Sequence, residues 1–361
     1  MVKKPESPKE TVIRTSADAL RDTVKKIFER VGVPPKDAEV GADVLVKADL
    51  VGMESHGVSN MLPRYIERYQ NDIMNPKPDW QVTRETSATA TIDADRGLGI
   101  IIAPRAMEIA IAKAKKAGVG IVTIGNTRHL GMASYHAMMA LKYDMIGLCM
   151  SSVRPTVLPA LGSEVRLGTN PIALAAPALD EPPFIFDAAT SVIPDNKVDN
   201  VRRAGGNLLP GWISDQHGTP VMKQVPAPAR DAYKLLPLGS TPETGAHKGY
   251  GLACIVDILS GGLSGTGYGA IRDPEIVAHQ VAAYNIEAFV DVRQFKEMTD
   301  AFLRTLKETP PAPGHGRVLV PGQLEWEAEQ DRKTRGIPLH IDVLQWFRET
   351  CKQMEITYIL E

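Results

Sequence analysis

Apolar residues recur at helical spacing near both ends of the chain, whereas short apolar runs occupy its middle. Ser16 is a typical N-cap residue, and Leu20, Val24 and Phe28 follow it at the spacing of an amphipathic helix over 17–31. Similar patterns predict further helices over 35–50, 59–70, 296–307, 323–335 and 340–353. We therefore expect both ends of the chain to be mainly helical.

The middle of the chain alternates apolar runs with helical segments, which is typical of a sheet covered by helices. Strands are predicted at 88–95, 119–124, 146–150, 171–176 and 184–186, and two more follow at 287–292 and 317–320. Helices are predicted at 103–117, from about residue 132 onward, and at 250–260. Residues 205–245 are dense in Gly and Pro and predict an ordered but irregular excursion within the same domain.

The stretch from Val119 to His136 contains the first candidate for chemistry. A buried strand rich in β-branched residues leads into the polar turn 126–131, and a helix follows. Open α/β sheets place their ligand crevices at such carboxyl ends of strands. His129 in this turn is therefore a candidate for proton transfer. The alternative interpretation is a histidine that only hydrogen-bonds the backbone of its own loop.

The charge balance argues against a nucleic-acid or membrane-surface partner. The 361 residues include 41 Lys and Arg against 43 Asp and Glu, so no polybasic field is present. The three cysteines lack CxxC spacing, which is typical of reduced thiols and indicates a cytoplasmic protein. The chain begins with charged residues and prolines and contains no long apolar run, so we expect neither a signal peptide nor a membrane span.

Several common site motifs are missing. The glycines of 265–269 follow a predicted helix and lack the GxGxxG spacing of a dinucleotide fingerprint. Neither GxxxxGKS/T nor GxSxG occurs, so phosphoryl transfer from ATP and serine hydrolysis lack support. His129 precedes the helix that carries His136, so the two do not share a helix face, and we predict no metal site.

Polar residues at the predicted ends of elements remain as candidates. They are Ser55, His56, Arg64, Asn126, His129, Ser151, Ser152, Asp187, His247 and Lys248. One histidine for proton transfer, cations for a carboxylate and a buried aspartate for orientation would suit interconversion of a carbonyl and an alcohol. Taken singly, Arg64 is also explained as a solvated residue and Asp187 as a cap. Lys248 stands at a predicted helix start, where a cation is better explained by a bound anion such as a phosphate.

Seven segments combine into a recognisable pattern. They are ESHGVSNMLPRY (54–65), VGIVTIGNTRHLGMASYHA (119–137), LGTNPIALAAP (167–177), FDAATS (186–191), PGW (210–212), HKGYGLACIVDILSGGLSG (247–265) and VLVPGQLEWEAEQDRKTRGIPL (318–339). Together they resemble the malate/L-lactate dehydrogenase family of the second, non-Rossmann type. That family also includes ureidoglycolate and sulfolactate dehydrogenases and the piperideine- and pyrroline-2-carboxylate reductases. The resemblance covers about 16–345 and is specific for the family, much less so for a substrate.

The resemblance implies an α/β fold in which a mixed-sheet, non-Rossmann domain binds NAD(H) or NADP(H). This sheet domain would span 86–292 and be inserted in a helical domain built from both chain ends, 1–85 plus 293–361. Because this fold is not a Rossmann fold, it would not require the GxGxxG fingerprint, which is absent from this chain. The resemblance also implies a homodimer.

The resemblance further assigns roles to individual residues. His129 would be the acid/base, with His56 and Asp187 as further catalytic residues, and Ser55, Asn60 and Arg64 would meet the substrate. The residues assigned to the cofactor are Ser152, Asn170, Asp187, Ala188, Ala189, His247, Lys248, Gly322 and Gln323.

The chain departs from the family pattern at three places. Many members have Arg where this chain has Asn60, so either Arg64 replaces it or the substrate differs. The usual Asn-Ser after the 146–150 strand is Ser152-Val153 here, followed by Arg154, and Gln323 stands where many members have Glu.

These observations predict hydride transfer between NAD or NADP and C2 of a small 2-hydroxy or 2-oxo acid. Two alternatives stay open. One is a cyclic ketimine reductase, and the other is a nucleotide-binding relative without catalytic activity.

Overall fold

The computed structural model describes residues 12–360. The helices are α1 Ala17–Arg30, α2 Pro35–Leu50, α3 Val58–Gln70, α4 Gly99–Ala117, α5 Ala133–Met138, α6 Asp195–Arg203, α7 Ala246–Val256, α8 Val292–Glu308, α9 Gln323–Arg335 and α10 Ile341–Gln353. The strands are β1 Val12–Thr15, β2 Gln81–Glu85, β3 Thr89–Asp93, β4 Val119–Thr127, β5 Met145–Ser152, β6 Ile172–Ala176, β7 Phe184–Ala188, β8 Asn207–Leu208, β9 Ile213–Ser214, β10 Val225–Pro226, β11 Lys234–Leu235, β12 Val277–Asn285 and β13 Ile337–His340.

A seven-stranded mixed sheet forms the centre of the molecule, which confirms the α/β prediction. Its strand order is β2-β3-β4-β12-β5-β6-β7, and β3 and β4 form the parallel pair in an otherwise antiparallel sheet. The strand β12 comes late in the chain, yet it lies between β4 and β5. The carboxyl ends of β4 and β5 therefore flank the amino end of β12.

Two helices approach the sheet very closely, because glycines face them. A Cβ on Gly120 of β4 would lie 1.9 Å from the carbonyl oxygen of Ala110 in α4. A Cβ on Gly147 of β5 would lie 2.0 Å from the carbonyl oxygen of Ala137 in α5. Larger residues at these two positions would push the helices away. This close packing sets the position of the turn that joins β4 to α5.

A second core combines the two ends of the chain. Leu20 and Phe28 of α1 pack in one cluster with Leu344 and Phe347 of α10, and all four are buried. Helix α8 instead contacts the loop between β6 and β7, since the carboxylate of Asp300 accepts the backbone N–H groups of residues 179–181. The division into domains 1–85 plus 293–361 and 86–292 stays a prediction.

The helices predicted at 17–31, 35–50 and 59–70 are confirmed to within one residue, and those predicted at 323–335 and 340–353 are confirmed as well. Helix α6 and the strands β1, β2 and β13 were not predicted. In the part of the chain that is described, no helix is long and apolar enough to cross a membrane.

Two predicted strands are wrong. Residues 287–292 form a short turn in which Asp291 caps α8 by accepting the backbone N–H of Gln294 at 2.9 Å. Residues 317–320 have no regular secondary structure and pair with no strand among residues 12–360, so their apolar pattern does not make a sheet. Apolar alternation alone predicts a strand only where a partner edge is available.

The central strand β12, VAHQVAAYN, was missed, because His279 and Gln280 interrupt its apolar run. Both are buried and hydrogen-bonded: His279 contacts Ser151, and the Gln280 amide donates to the Leu259 carbonyl. Buried polar side chains are tolerated where they find such partners. The turn predicted at 126–131 begins later, since β4 continues to Thr127, and β5 continues to Ser152, past its predicted end at residue 150.

Candidate active site

His129 lies in the turn between β4 and α5, where β4 carries a bulge. Val277 of β12 pairs with Thr127, whereas His279 pairs with Ile124, so β4 has one residue more than β12 over this interval. Bulges bend a strand and re-aim the residues that follow it. Here the bulge directs the chain from the sheet into the turn that carries His129.

His129 lines a cavity of about 530 Å³. The cavity walls come from the turn between α2 and α3, from α3, from the ends of β4, β5 and β6, and from residues 194–196. His56, Tyr65, His129 and Ser151 lie along it, and so do five arginines: Arg64, Arg68, Arg128, Arg154 and Arg230. The cavity thus combines imidazole and hydroxyl groups with many cations.

Three groups hold the His129 ring. Its Nδ1 lies 2.6 Å from the Tyr65 hydroxyl oxygen, and the backbone N–H of Gly131 approaches the same nitrogen at 3.3 Å. The rings of His56 and His129 stack, with centroids 5.6 Å apart and planes inclined by 15°. Nε2 of His129 has no hydrogen-bond partner among the described residues, so that nitrogen is available to a ligand.

Burial lowers the pKa of His129 well below its usual value, and the neighbouring His56 lowers it further. The ring is therefore neutral at pH 7 and can accept a proton. Burial also raises the pKa of Tyr65, so its hydroxyl keeps its proton. A hydroxyl can both donate and accept, so Tyr65 can satisfy Nδ1 of His129 in either protonation state.

The buried side chain of Asp49 packs against the segment Ser55-His56-Gly57. Asp49 accepts the backbone N–H of Val58 at 2.8 Å, and a Cβ on Gly57 would lie 1.9 Å from Asp49 Oδ1. Within the segment, the Ser55 hydroxyl lies 2.9 Å from His56 Nδ1. Burial lowers the pKa of His56 to about 4, so this ring is neutral too.

Asn60 is buried, and its amide donates to the carbonyl of Glu54 at 2.8 Å, so it supports the preceding turn and does not line the cavity. Arg64 does line the cavity and donates to Asn196 Oδ1 at 3.2 Å. Of the three predicted substrate residues, Ser55, Asn60 and Arg64, only Arg64 lines the cavity beside His129.

The cavity arginines differ in how far they are already paired. Arg230 forms an ion pair with Asp199, and Arg68 with Glu275. Arg128 donates to backbone carbonyl groups. Arg154 is exposed, and within residues 12–360 it has neither a hydrogen bond nor an ion pair. Arg154 is therefore the cavity arginine with a guanidinium left for an anionic ligand.

Asp187 stands at the end of β7 and serves as a cap. Its carboxylate accepts the backbone N–H of Ser134 at 2.7 Å, at the start of α5, and burial raises its pKa to about 6. Ala188 and Ala189 follow it and are half-buried. The turn that contains Gly322 packs against Ile185 of the same strand. Asp187, Ala188, Ala189 and Gly322 do not line the cavity of His129.

Ser152 and Asn170 are fully buried, and their polar atoms have partners inside the protein. The Ser152 hydroxyl donates to Asp257. The Asn170 amide accepts the Val153 N–H at 3.1 Å and donates to the Ala253 carbonyl at 2.9 Å. Both residues connect the end of β5 to α7, and neither lines the cavity.

His247 and Lys248 are exposed in the first turn of α7, as the sequence predicted. The Gln323 side chain accepts the Val320 N–H and donates to Glu327, so both of its polar groups have partners within its own segment. The structure thus brings His56, Arg64 and His129 together, with Ser55 bonded to His56. The cofactor assignments of the remaining residues stay predictions.

Two residues were not predicted: Tyr65, which lines the cavity, and His279, which contacts the cavity residues Ser151 and Arg128 from behind. The sequence predicts Tyr65 only as part of the helix over 59–70, and nothing in its position indicates that its hydroxyl contacts His129. His279 was missed together with β12. The pair His279-Gln280 within VAHQVAAYN was the one indication in the sequence, because polar side chains in a buried strand are costly unless they are hydrogen-bonded.

The residues present fit a nicotinamide ring with a small acid beside it. His129 can exchange a proton, Ser151 supplies a hydroxyl, and unpaired Arg154 can hold a carboxylate. Among residues 12–360, no group of three His, Cys, Asp or Glu side chains is placed to hold a metal ion.

Comparisons with known proteins identify the family of this chain. The family model for malate/L-lactate dehydrogenase matches residues 15–348. Malate dehydrogenase of Pyrococcus horikoshii is 39% identical, over 96% of this chain and 97% of the relative. L-sulfolactate dehydrogenase of Methanocaldococcus jannaschii is 36% identical, over 98% and 97%. The crystal structure of malate dehydrogenase from Entamoeba histolytica superposes with a TM-score of 0.90 at 31% identity, over 96% of this chain and 99% of that one.

The similarity extends over the whole fold and includes the segments around His56 and His129. Family membership implies a nicotinamide cofactor and a hydroxy acid substrate. The chain belongs to the malate/L-lactate dehydrogenase family and is an oxidoreductase that acts on the CH–OH group of hydroxy acids.

Proposed function

We propose that the protein catalyses reversible hydride transfer between nicotinamide and C2 of a small 2-hydroxy or 2-oxo acid, with His129 as the acid/base. The observation that carries this proposal is the pairing of His129 Nδ1 with the Tyr65 hydroxyl at 2.6 Å. That pairing leaves Nε2 of His129 free for the substrate oxygen.

In the oxidation direction, neutral His129 takes the proton of the substrate hydroxyl at Nε2. The Tyr65 hydroxyl accepts the Nδ1–H of His129 before and after this transfer, because a neutral ring that takes a proton at Nε2 already carries its hydrogen on Nδ1. In the reduction direction, protonated His129 returns the proton from Nε2 to the carbonyl oxygen. A bound nicotinamide supplies or accepts the hydride. A positioned acid or base of this kind contributes about 10²–10⁴-fold to the rate.

The substrate carboxylate would be held by Arg64 and Arg154. Both line the same cavity as His129, and Arg154 has no partner within residues 12–360. Asn60, which replaces the arginine of many family members, is engaged with Glu54 and leaves this task to Arg64. Hydrogen bonds from a guanidinium to a carboxylate are among the stronger ones in proteins.

The proposed cofactor is NAD or NADP. The homodimer and the cytoplasmic location expected from the sequence belong to the same proposal, and so do the cofactor contacts of Asp187, Lys248 and Gly322. The exposed start of α7 carries His247 and Lys248, and a helix N-terminus with a nearby lysine suits a phosphate of the dinucleotide.

The test is oxidation of NADH and of NADPH by the purified protein with a panel of substrates. The panel contains pyruvate, oxaloacetate, sulfopyruvate and piperideine-2-carboxylate. We expect turnover with at least one 2-oxo acid. Turnover with the cyclic imine alone would replace the proposal by the ketimine reductase alternative. Binding of reduced cofactor without turnover on any compound would favour the silent relative.

A further inference from the structure

Ser151 and His279 form a buried pair, and no ligand atom is assigned to the Ser151 hydroxyl so far. They face each other across β5 and β12, and His279 Nδ1 lies 2.9 Å from the Ser151 hydroxyl oxygen. On its other side, His279 Nε2 lies 2.9 Å from the carbonyl oxygen of Arg128, the residue before His129. His279 is fully buried and Ser151 is 2% exposed.

The partners of His279 determine where its proton is. The Arg128 carbonyl can only accept, so Nε2 of His279 must carry a hydrogen. Burial lowers the pKa of His279 to about 3, so the ring is neutral and its Nδ1 has no hydrogen. The Ser151 hydroxyl must therefore donate its hydrogen to Nδ1.

This arrangement leaves the Ser151 oxygen with lone pairs only. Ser151 lines the cavity of His129, and its hydroxyl has no other partner in the described part of the chain. Towards a ligand, Ser151 is therefore an acceptor whose orientation is set before the ligand arrives. Such an acceptor favours a ligand group that carries an N–H or O–H.

The ligand groups expected in the cavity differ in what they can donate. A 2-oxo acid has only acceptors, and the hydroxyl of a 2-hydroxy acid gives its proton to His129. The carboxamide of nicotinamide has two N–H donors. Among these groups, only the carboxamide matches an acceptor that is separate from His129.

We propose that Ser151 accepts a hydrogen bond from the carboxamide N–H of the nicotinamide ring, and that His279 is the positioning residue that makes Ser151 an acceptor. This inference rests on the proposed function, because it requires a nicotinamide cofactor in the cavity. Its chemistry involves no covalent step.

The test removes first the N–H donor of the ligand and then the hydroxyl acceptor of the protein. The ligands are NADH, or NADPH if that form binds, and the corresponding reduced 3-acetylpyridine dinucleotide, which keeps the carbonyl but lacks the N–H. Dissociation constants are measured by calorimetry on the unmodified chain and on Ser151→Ala. A neutral hydrogen bond corresponds to a threefold to tenfold change in affinity, roughly.

We expect the unmodified protein to bind the acetylpyridine ligand about three to ten times more weakly than the natural cofactor. In Ser151→Ala the two dissociation constants should become nearly equal, because the natural cofactor loses its advantage. Ser260→Ala is the matched control, since Ser260 is fully buried and its hydroxyl has no partner within residues 12–360. That variant should keep the ratio of the unmodified protein.

An unchanged ratio in Ser151→Ala would overturn the inference. If Ser151→Ala does not fold, Ser151→Cys keeps the side-chain size and replaces the oxygen by a weak acceptor, and the same ratio decides. Absence of binding of NADH and of NADPH by the unmodified protein would instead overturn the proposed function.

The role of His279 is tested separately by determining which of its ring nitrogens carries the hydrogen. Imidazole ¹⁵N chemical shifts distinguish the Nδ1–H and Nε2–H tautomers, and His279→Gln identifies the signal by its loss. We expect the Nε2–H tautomer at pH 7. An Nδ1–H tautomer would mean that Ser151 keeps its hydrogen for the ligand, which contradicts the proposal.

Discussion

The cavity wall around His129 and the sheet interior behind it both hold neutral histidines, but their ring nitrogens meet different partners. His129 Nδ1 contacts the Tyr65 hydroxyl. In the interior, His136 Nε2 lies 2.8 Å from the Leu130 carbonyl oxygen, and His279 Nε2 faces another carbonyl. His136 and His279 are fully buried, whereas His129 reaches the cavity.

Burial lowers the pKa of all three rings, so burial by itself does not separate a catalytic histidine from a structural one. The atom that each ring nitrogen contacts does separate a catalytic histidine from a structural one. A carbonyl accepts only and holds a ring in one tautomer, whereas a hydroxyl adapts to either. A histidine that must gain and lose a proton also needs a ring nitrogen that faces the ligand, as Nε2 of His129 does in the cavity.

The largest effect should follow from His129→Gln. Glutamine keeps a polar side chain of similar reach but cannot transfer a proton, so kcat should fall by about 10²–10⁴-fold. The dissociation constant of the cofactor should change little. Stopped-flow turnover and calorimetric binding measure the two quantities. An equal loss of both would make His129 a structural residue like those of the interior.

A smaller loss is expected for Tyr65→Phe, which leaves Nδ1 of His129 with only the Gly131 amide. That amide can only donate, so the ring is driven towards the Nε2–H tautomer, which cannot accept the substrate proton. We expect kcat for oxidation to fall about tenfold.

Tyr69→Phe is the matched control, one helical turn further along α3. Its hydroxyl is buried and has no hydrogen-bond partner within residues 12–360. Its removal should leave kcat unchanged. Similar losses in the two variants would show that the Tyr65 effect comes from packing.

The pH dependence should reveal the lowered pKa of His129. Oxidation needs the neutral ring, so kcat/KM for oxidation should be flat above pH 6.5 and fall only at lower pH. Reduction needs the imidazolium, so its kcat/KM should rise as the pH falls. Steady-state rates between pH 5 and 9, roughly the range of protein stability, give both profiles. An oxidation profile that rises with a midpoint above 7 would contradict a buried, neutral His129.

The smallest effect on activity is expected for His136→Phe. This variant leaves the Leu130 carbonyl unpaired and should lower the free energy of unfolding by about 1–3 kcal/mol, with kcat changed less than about twofold. Chemical denaturation measures the first quantity.

The same variant should also alter the pH dependence of stability. The pKa of His136 is lowered to about 4 in the fold, from 6.5 for a free side chain. The unfolded chain therefore binds a proton that the folded chain does not, and stability is lost as the pH falls from 6.5 towards 4. In His136→Phe this part of the loss should be absent. An identical pH dependence in both proteins would mean that His136 is charged in the fold.

The sequence by itself determined the helical ends, most strands of the sheet and the turn that carries His129. These features depend on local patterns: apolar residues at helical spacing, β-branched runs, and the break after β4. It also determined the family, because the segments around His56, His129 and Lys248 are contiguous stretches.

Only the tertiary structure decided which side chains meet. Tyr65 and His129 are 64 positions apart, and Ser151 and His279 are 128 positions apart. The place of β12 between β4 and β5 depends on long-range pairing, which no local pattern encodes. Its buried His279 is explained only by partners on two other segments. For the same reason Asp187, a candidate from its motif, proves to cap α5, which lies 53 positions earlier in the chain.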